Sequence, residues 1–350
     1  MTFSIAAHDG EAWGVAVASR FLAVGSVVPR VVPGRCALAT QAMARVAYLD
    51  EVEDGLLEGL TAAAALERAT AGDAGREDRQ VGVVGADGAA TFTGSGCMHW
   101  AGGEAAGDSQ TAFAVQGNIL TGPEVVEAMV SAWHAHRGHA LDARLLAVLL
   151  AGDAAGGDAR GRQSAALLVK APGAGYDGCG VVADLRVDDH PEAPTELARV
   201  HGLSTLYFGT AEDVEPLTGP LRDEVSRLLA AAGHAGPVEP ALEAWMGEVN
   251  LENRHSPGAI DRRVLAGLRG SPARRGPRRT SRPTVPAPKG RTQRPPECIH
   301  LHHSTRLDQD SRRRPRPTLR THRPNPKSRA VIVAFRAASP TGGATHSAPT

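Results

Sequence analysis

A threonine follows the initiator methionine in the opening stretch MTFSIAAHDG, and chemistry could start there. A threonine hydroxyl is a weak nucleophile until a base removes its proton. The α-amino group of a chain end has a reference pKa of about 7.7–8.0, so much of it can act as base near neutral pH. With Met1 removed, Thr2 would carry nucleophile and base on one residue. Its side chain is small enough for methionine removal, and the strand FSIAAHD begins at once, where a free end would otherwise fray.

Acyl transfer at Thr2 needs donors for an oxyanion and a cation that keeps the amine in its basic form. Two loops compete for the donors: Thr40–Gln41–Ala42, and Gln116–Gly117–Asn118 at a strand end before a helix. Turn chemistry alone also accounts for Gly-Asn. For the cation, Arg20 ends the strand that pairs with the one bearing Thr2, and Arg30 is second. A solvated loop charge accounts for either arginine without function.

Other groups carry less. WHAHRGH (His134, His136, His139) has a metal-like look, but positions two apart point to different helix faces, and favourable charge at a helix C-terminus explains it. Asp188–Asp189–His190 suits an N-cap before Pro191 better than a cation site. Gly94–Ser95–Gly96 is too short for a nucleophile elbow. The cysteines Cys36, Cys97, Cys179 and Cys298 are scattered, which fits a reducing compartment rather than a disulfide framework. No metal and no cofactor are expected.

The elements that must position Thr2 are legible as hairpins. FSIAAHD and AWGVAVASR flank a Gly10 turn, and QVGVVGADGAATFTGSG turns at Asp87–Gly88. CALATQA and TAFAVQGNIL read as further strands, with 25–34 as a loop. Leu49 to Thr70 reads as one helix; EVVEAMVSAWHAHRG after Pro123 and LDARLLAVLLAG supply two more. QSAALLVKAP and GVVADLRVDDH close the strand set. Strands and helices are segregated rather than alternating, which predicts an α+β fold: a four-layer αββα sandwich of two mainly antiparallel sheets covered by helices.

Residues 196–269 read as a small helical module. Residues 1–270 hold 20 Lys+Arg against 35 Asp+Glu, and 271–350 hold 18 against 3. An acidic body therefore carries a basic Arg/Pro-rich segment, 270–350, expected to be disordered. Nucleic-acid binding is disfavoured, because the basic segment lacks interleaved aromatics and the body is acidic. No signal peptide and no run of 18 apolar residues is evident, so a cytoplasmic protein without membrane contact is expected.

The stretches TFSIAAHD, GVAVASRFLAVGSVVP, LATQA, FAVQGNILTGPEVVEAM, GDAAGGDARGRQSAALLV and DLRVDDHP together resemble the bacterial family called domain of unknown function 1028. The resemblance covers about residues 2–195 and implies an N-terminal-nucleophile hydrolase of αββα type. The stretch 196–269, with LYFG and NLENR, resembles a peptidoglycan-binding-like module attached to some members. The first strands also resemble the start of proteasome-type β subunits, with Ala18 in place of their aspartate. One departure is local: MARVAYLDEVEDG follows LATQA where the family tends to have an aromatic-Asn-Pro turn.

The resemblance implies an amidohydrolase that acts on a small or cell-wall-derived (muropeptide-like) amide and admits a homo-oligomer. Thr2, Arg20, Gln116, Asn118 and Asp158 would then be catalytic. Arg30, Thr40, Gln41, Arg162, Gln163 and Ser164 would bind substrate. Related hydrolases place groups that orient the terminal amine just before a strand, as Asp158 to Ser164 are placed here; helix capping is the alternative for Asp158. A second class remains open, a non-catalytic binding protein of the same fold attached to cell-wall fragments through its helical module.

Overall fold

A computed structural model describes residues 2–271 of the 350. Processing at Met1 and the basic segment from 272 onward lie outside the described residues. The opening strands form the expected hairpin, β1 (Thr2–His8) with β2 (Trp13–Ser19), in the register Phe3↔Ala18 to His8↔Trp13. Its turn closes where the Asp9 carboxylate accepts the backbone N–H groups of Glu11 and Ala12, at 3.2 and 2.8 Å. Gly10 supplies the left-handed backbone there, with φ of 97°.

Two antiparallel sheets organise the chain. The second sheet runs in chain order: β3 (Pro29–Val32), β4 (Cys36–Ala42), β5 (Arg79–Gly85) and β6 (Gly88–Thr93). The first has six strands. Besides β1 and β2 it holds β7 (Trp100–Gly107), β8 (Ala112–Leu120), β9 (Ser164–Lys170) and β10 (Val181–Val187), in the order β10-β9-β2-β1-β8-β7. The strand bearing Thr2 is therefore central, paired on both sides.

Strand periodicity assigns each residue to a layer, because successive side chains point to opposite faces. Phe3, Ile5 and Ala7 pack against α3 (Glu124–Ala135) and α4 (Leu141–Ala154), through Met129, Trp133, Leu145 and Leu149. Leu38, Val81, Val83 and Phe92 pack against α1 (Ala47–Leu57) and α2 (Ala62–Ala71). The remaining faces meet each other through Ala6, Val15, Val17, Ala37, Ala39 and Val84. The result is the αββα sandwich.

Three elements differ from the sequence reading. The single helix expected over 49–70 is two helices, because Thr61 caps α2 by accepting the Ala64 N–H at 3.2 Å. Residues 29–32 form β3, an edge strand, where proline is tolerated. WAGGEAAG forms β7, whose glycines let strands come close: a Cβ on Gly103 would lie 2.6 Å from the Val115 carbonyl.

The helical unit is not set off by a linker. Helix α5 (Ala193–Phe208) runs straight through the expected boundary at 195/196. Ala193 and Leu197 are in the first sheet's helix-side core, while Leu206 packs on a separate core that includes Val225, Leu229, Trp245 and Leu265. That core is built by α6 (Gly219–Ala231), α7 (Val238–Glu248) and α8 (Arg262–Gly270), with a short pair β11 (Val214–Pro216) and β12 (Ala259–Asp261). Arg254, 1% exposed, fastens the joint. It donates to the carbonyls of Thr205, Leu206 and Thr210 at 2.6–2.8 Å and to Asp261 at 3.0 Å. The Leu206 carbonyl, in the last turn of α5, is satisfied this way, while the Thr205 carbonyl also accepts the Gly209 N–H at 3.1 Å. Among the described residues no helix is long and apolar enough to cross a membrane.

Candidate active site

Thr2 lies on the inter-sheet face of β1, one position off the apolar set Phe3, Ile5 and Ala7. It is 5% exposed, and its Oγ1 is 3.0 Å from the Ser19 Oγ at the end of β2. Around its carbonyl the two sheets contribute amide side chains. Gln41 Nε2, from β4, donates to the Thr2 carbonyl at 3.1 Å. Asn118 Nδ2, opposite Thr2 on β8, donates to the same oxygen at 3.3 Å.

Both amides are aimed by a residue that the sequence reading passed over. Gln80 Oε1, on β5, accepts from Gln41 Nε2 at 2.8 Å and from Asn118 Nδ2 at 2.9 Å. Its own Nε2 is anchored on Thr93 Oγ1, the Gly117 carbonyl and the Gly102 carbonyl, at 2.9, 2.8 and 3.2 Å. Ser4 joins from β1: its hydroxyl donates to Gln41 Oε1 at 2.7 Å and accepts from Gln116 Nε2 at 2.6 Å. The amide head of Gln116 lies over Gly82, where a Cβ would sit 2.1 Å from Gln116 Oε1 and displace the amide.

Ser4, Gln41, Gln80, Gln116 and Asn118 are each at most 1% exposed. In so dry a setting each bond is strong and each broken one costly, so the network fixes the Thr2 backbone tightly. Both hydrogens of Asn118 Nδ2 are engaged, one on Thr2 and one on Gln80. In this arrangement the amides of Gln41 and Asn118 hold the residue expected to react.

A second group of expected residues lies beyond the strand ends. Asp158 accepts the Arg20 backbone N–H at 2.8 Å and the Arg160 backbone N–H at 2.9 Å. Ser164 donates to the Phe21 carbonyl and accepts the Val24 N–H at 3.0 Å, which pins the loop after β2. Asp158, Arg162 and Ser164 line a cavity of about 120 Å³ together with Phe3, Ala18 and Ser19. Ser19 thus touches both the Thr2 hydroxyl and the cavity. Arg162 is held by Asp153 at 2.6 Å and by Glu192 at 3.3 Å.

The other expected residues sit elsewhere. The Arg20 side chain is exposed, with Nη1 3.5 Å from the Arg160 carbonyl. Arg30 falls on the helix side of its sheet, since the neighbouring Val31 faces between the sheets; its guanidinium pairs with Asp50 and Glu53. Thr40 points the same way, with Oγ1 3.3 Å from the Arg45 carbonyl. The Gln163 amide pairs with Asp189 at 3.2 Å. Strand alternation is the reason Thr40 and Gln41, adjacent in sequence, part company.

Two of the cysteines are poor nucleophiles. Burial pushes the Cys36 thiol up to about 12, with Glu53 adding to the shift, and burial also raises Cys97. Among the described residues no three His, Cys, Asp or Glu side chains are grouped to hold a metal ion. His136 and His139, from the histidine-rich stretch, bond to the carbonyls of Ala132 and His136 instead. One further feature marks this end of the sandwich. Ala23, Ala42, His99 and Ile119 all have left-handed backbones, with φ of 49–67°, a cost that tends to be carried near functional sites.

Fold and site together define an αββα sandwich whose central strand presents its leading threonine in a buried amide network. The chain belongs to the family of unknown function DUF1028, whose model matches residues 2–197. It is similar to the crystal structure of protein SPO2555 from Silicibacter pomeroyi, assigned to the same family. The two are 30% identical with a TM-score of 0.51, over 64% of this chain and 89% of that one. No curated protein matches the chain.

Proposed function

We propose that this protein is an N-terminal-nucleophile amidohydrolase that acts through Thr2 once Met1 has been removed. The observation that carries the reading is the pair of buried amides, Gln41 and Asn118, clamped on the Thr2 carbonyl and aligned by Gln80. So much buried polar machinery around one backbone oxygen is costly unless that residue must be held still.

In the proposed reaction the neutral α-amine takes the proton from Oγ1 as the hydroxyl oxygen attacks the substrate carbonyl. The C–N bond of the tetrahedral intermediate then breaks, and the departing amine takes that proton. Water, deprotonated by the same α-amine, hydrolyses the resulting ester and releases the acid. Ser19, at 3.0 Å from Oγ1, orients the hydroxyl. The cavity beyond Ser19, lined by Asp158, Arg162 and Ser164, receives a small polar part of the substrate. A cell-wall-derived amide is one such substrate, suggested by the likeness of residues 196–269 to a peptidoglycan-binding-like module.

Intact-mass measurement of the purified protein tests the first requirement, which is loss of the mass of methionine. A retained Met1 in protein that turns over amides would overturn the mechanism.

A further inference from the structure

Among the described residues, five large apolar side chains stand out in solvent on three loops at the Thr2 end of the sandwich. Phe21 and Leu22 follow β2 and are 52% and 59% exposed. Met43 and Val46 lie between β4 and α1, at 67% and 49%, and Met98 lies between β6 and β7, at 66%. Each loop leaves or enters a strand that carries part of the amide network: Ser19, Gln41 and Thr93 are the last network residues before them.

These loops are held, so the exposure is not a matter of slack chain. The Ala23 N–H bonds to the Asp188 carbonyl at 2.9 Å, and the Phe21 carbonyl accepts the Ser164 hydroxyl. The Met43 N–H bonds to Asp78 at 3.1 Å, and the Met43 carbonyl accepts from the Arg79 guanidinium. Arg79 is in turn fixed by Asp73, whose carboxyl is held at about 2 by the Gly75 N–H, the Tyr48 hydroxyl and Arg79 itself. The third loop is tied by Gly96 N–H to the Glu77 carbonyl at 2.7 Å and by Ser95 to the Glu77 carboxylate.

Fixed loops that present apolar side chains around a reactive group form a rim for an apolar ligand. The exposed surface amounts to a few hundred Å², short of the roughly 800 Å² per partner in a stable protein interface. Two of the five are methionines, which adapt to ligands of different shape.

We infer that the substrate is an amide bearing an apolar alkyl or aryl group, which lies on the rim formed by Phe21, Leu22, Met43, Val46 and Met98 while the amide reaches Thr2. The choice of an amide rests on the proposed role of Thr2; the apolar group does not. Binding should strengthen with chain length, approaching about fourfold per methylene where the methylene is fully buried.

The test uses N-acyl glycinamides from acetyl to octanoyl, titrated calorimetrically into the full-length Thr2→Ala protein and into a Thr2→Ala protein that also carries Phe21→Ser, Leu22→Ser and Met98→Ser, both checked for folding by circular dichroism. The expected result is an affinity that rises at least tenfold along the series in the first protein and stays nearly flat in the second, with acetyl binding alike in both. Affinity independent of chain length, or a rise that survives the loop substitutions, would overturn the inference. So would a dimer of the wild-type chain that the loop substitutions dissociate, since the rim would then be an interface. If length-dependent binding is found but wild-type protein cleaves none of the series, the rim stands and the hydrolase reading fails.

Discussion

The layer between the two sheets has two ends built on opposite principles. Near Thr2 it is filled by amides and hydroxyls from six strands, bonded to neighbours in the other sheet or their own, with the Gln116 Oε1 buried and left without a partner. A few residues further along the same strands it is filled by Ala6, Val15, Val17, Ala37, Ala39 and Ala114, with His8 stacked on Trp13 at 4.4 Å between ring centroids. The apolar end holds the sheets together through burial, which is non-directional and tolerant. The amide end fixes atoms in direction, which burial cannot do. Position along one strand thus separates stabilising the sandwich from organising a site.

Substitutions at the two ends should therefore separate activity from stability. Thr2→Ala is expected to abolish turnover of any amide substrate while leaving the melting temperature within a few degrees of wild type; Thr2→Ser should retain part of the rate. Turnover by Thr2→Ala at the wild-type rate would remove the amide end from catalysis altogether.

Gln80→Leu should be felt twice. It strands the donors of Gln41 and Asn118 and the carbonyl of Gly117, and unpaired buried groups cost about 1–3 kcal/mol each, so a loss of roughly 3 kcal/mol is expected in urea unfolding. It should also lower kcat more than it raises KM, because Thr2 is no longer held. Gln80→Glu keeps the acceptor for both amides and should recover part of kcat at alkaline pH. A variant that loses stability with unchanged kcat would show that Gln80 is only packing.

At the other end, Val17→Ala is expected to cost roughly 2 kcal/mol by lost burial and the space left behind, with kcat and KM unchanged. A kcat that falls with the stability would mean the two ends are coupled.

The smallest effect concerns His8. Burial lowers its pKa below the ordinary 6.5, outweighing the Asp108 backbone and the Asp9 and Asp108 carboxylates that favour the charged ring. The unfolded chain therefore binds the proton more readily, and stability rises with pH across this window. The contribution is complete above about pH 6.5 and shrinks as pH falls below it. Urea midpoints at pH 7.5 and 5.5 should differ less in His8→Phe than in wild type. An equal or larger difference would place the acid sensitivity elsewhere.

The fold was largely legible because its hairpins are punctuated by Gly10 and Asp87–Gly88, α3 is amphipathic and α4 is a long apolar run. What escaped was the strand without side-chain signal, WAGGEAAG, and the cap at Thr61 inside an otherwise helical pattern. Of the residues that chain position and loop chemistry single out, the fold brings Thr2, Gln41, Gln116 and Asn118 into one hydrogen-bond network. Gln80 was missed because a lone glutamine at the head of an apolar strand looks like an edge. A signal was nevertheless present: LATQA, QVGVV and FAVQG each place one uncharged amide beside an apolar run. A buried glutamine has to find partners: Gln41 and Gln80 find each other, and Gln116 is linked to Gln41 through Ser4. Strand alternation turns Thr40 away from Gln41, and the charge of Arg30, the second candidate cation, is taken up by Asp50 and Glu53.

Helix α5 has its first half in one core and its last half against another, with Arg254 closing its end. The family's own limit at residue 197 falls in the middle of that helix. A chain shortened there would keep Leu197 but lose the turns that follow, leaving four backbone carbonyls bare on a surface that α6 to α8 no longer shield. A cut past Phe208 would in turn remove Arg254 and the core on which Leu206 packs. The stretch that the family shares and the helix that joins the two cores therefore have different edges.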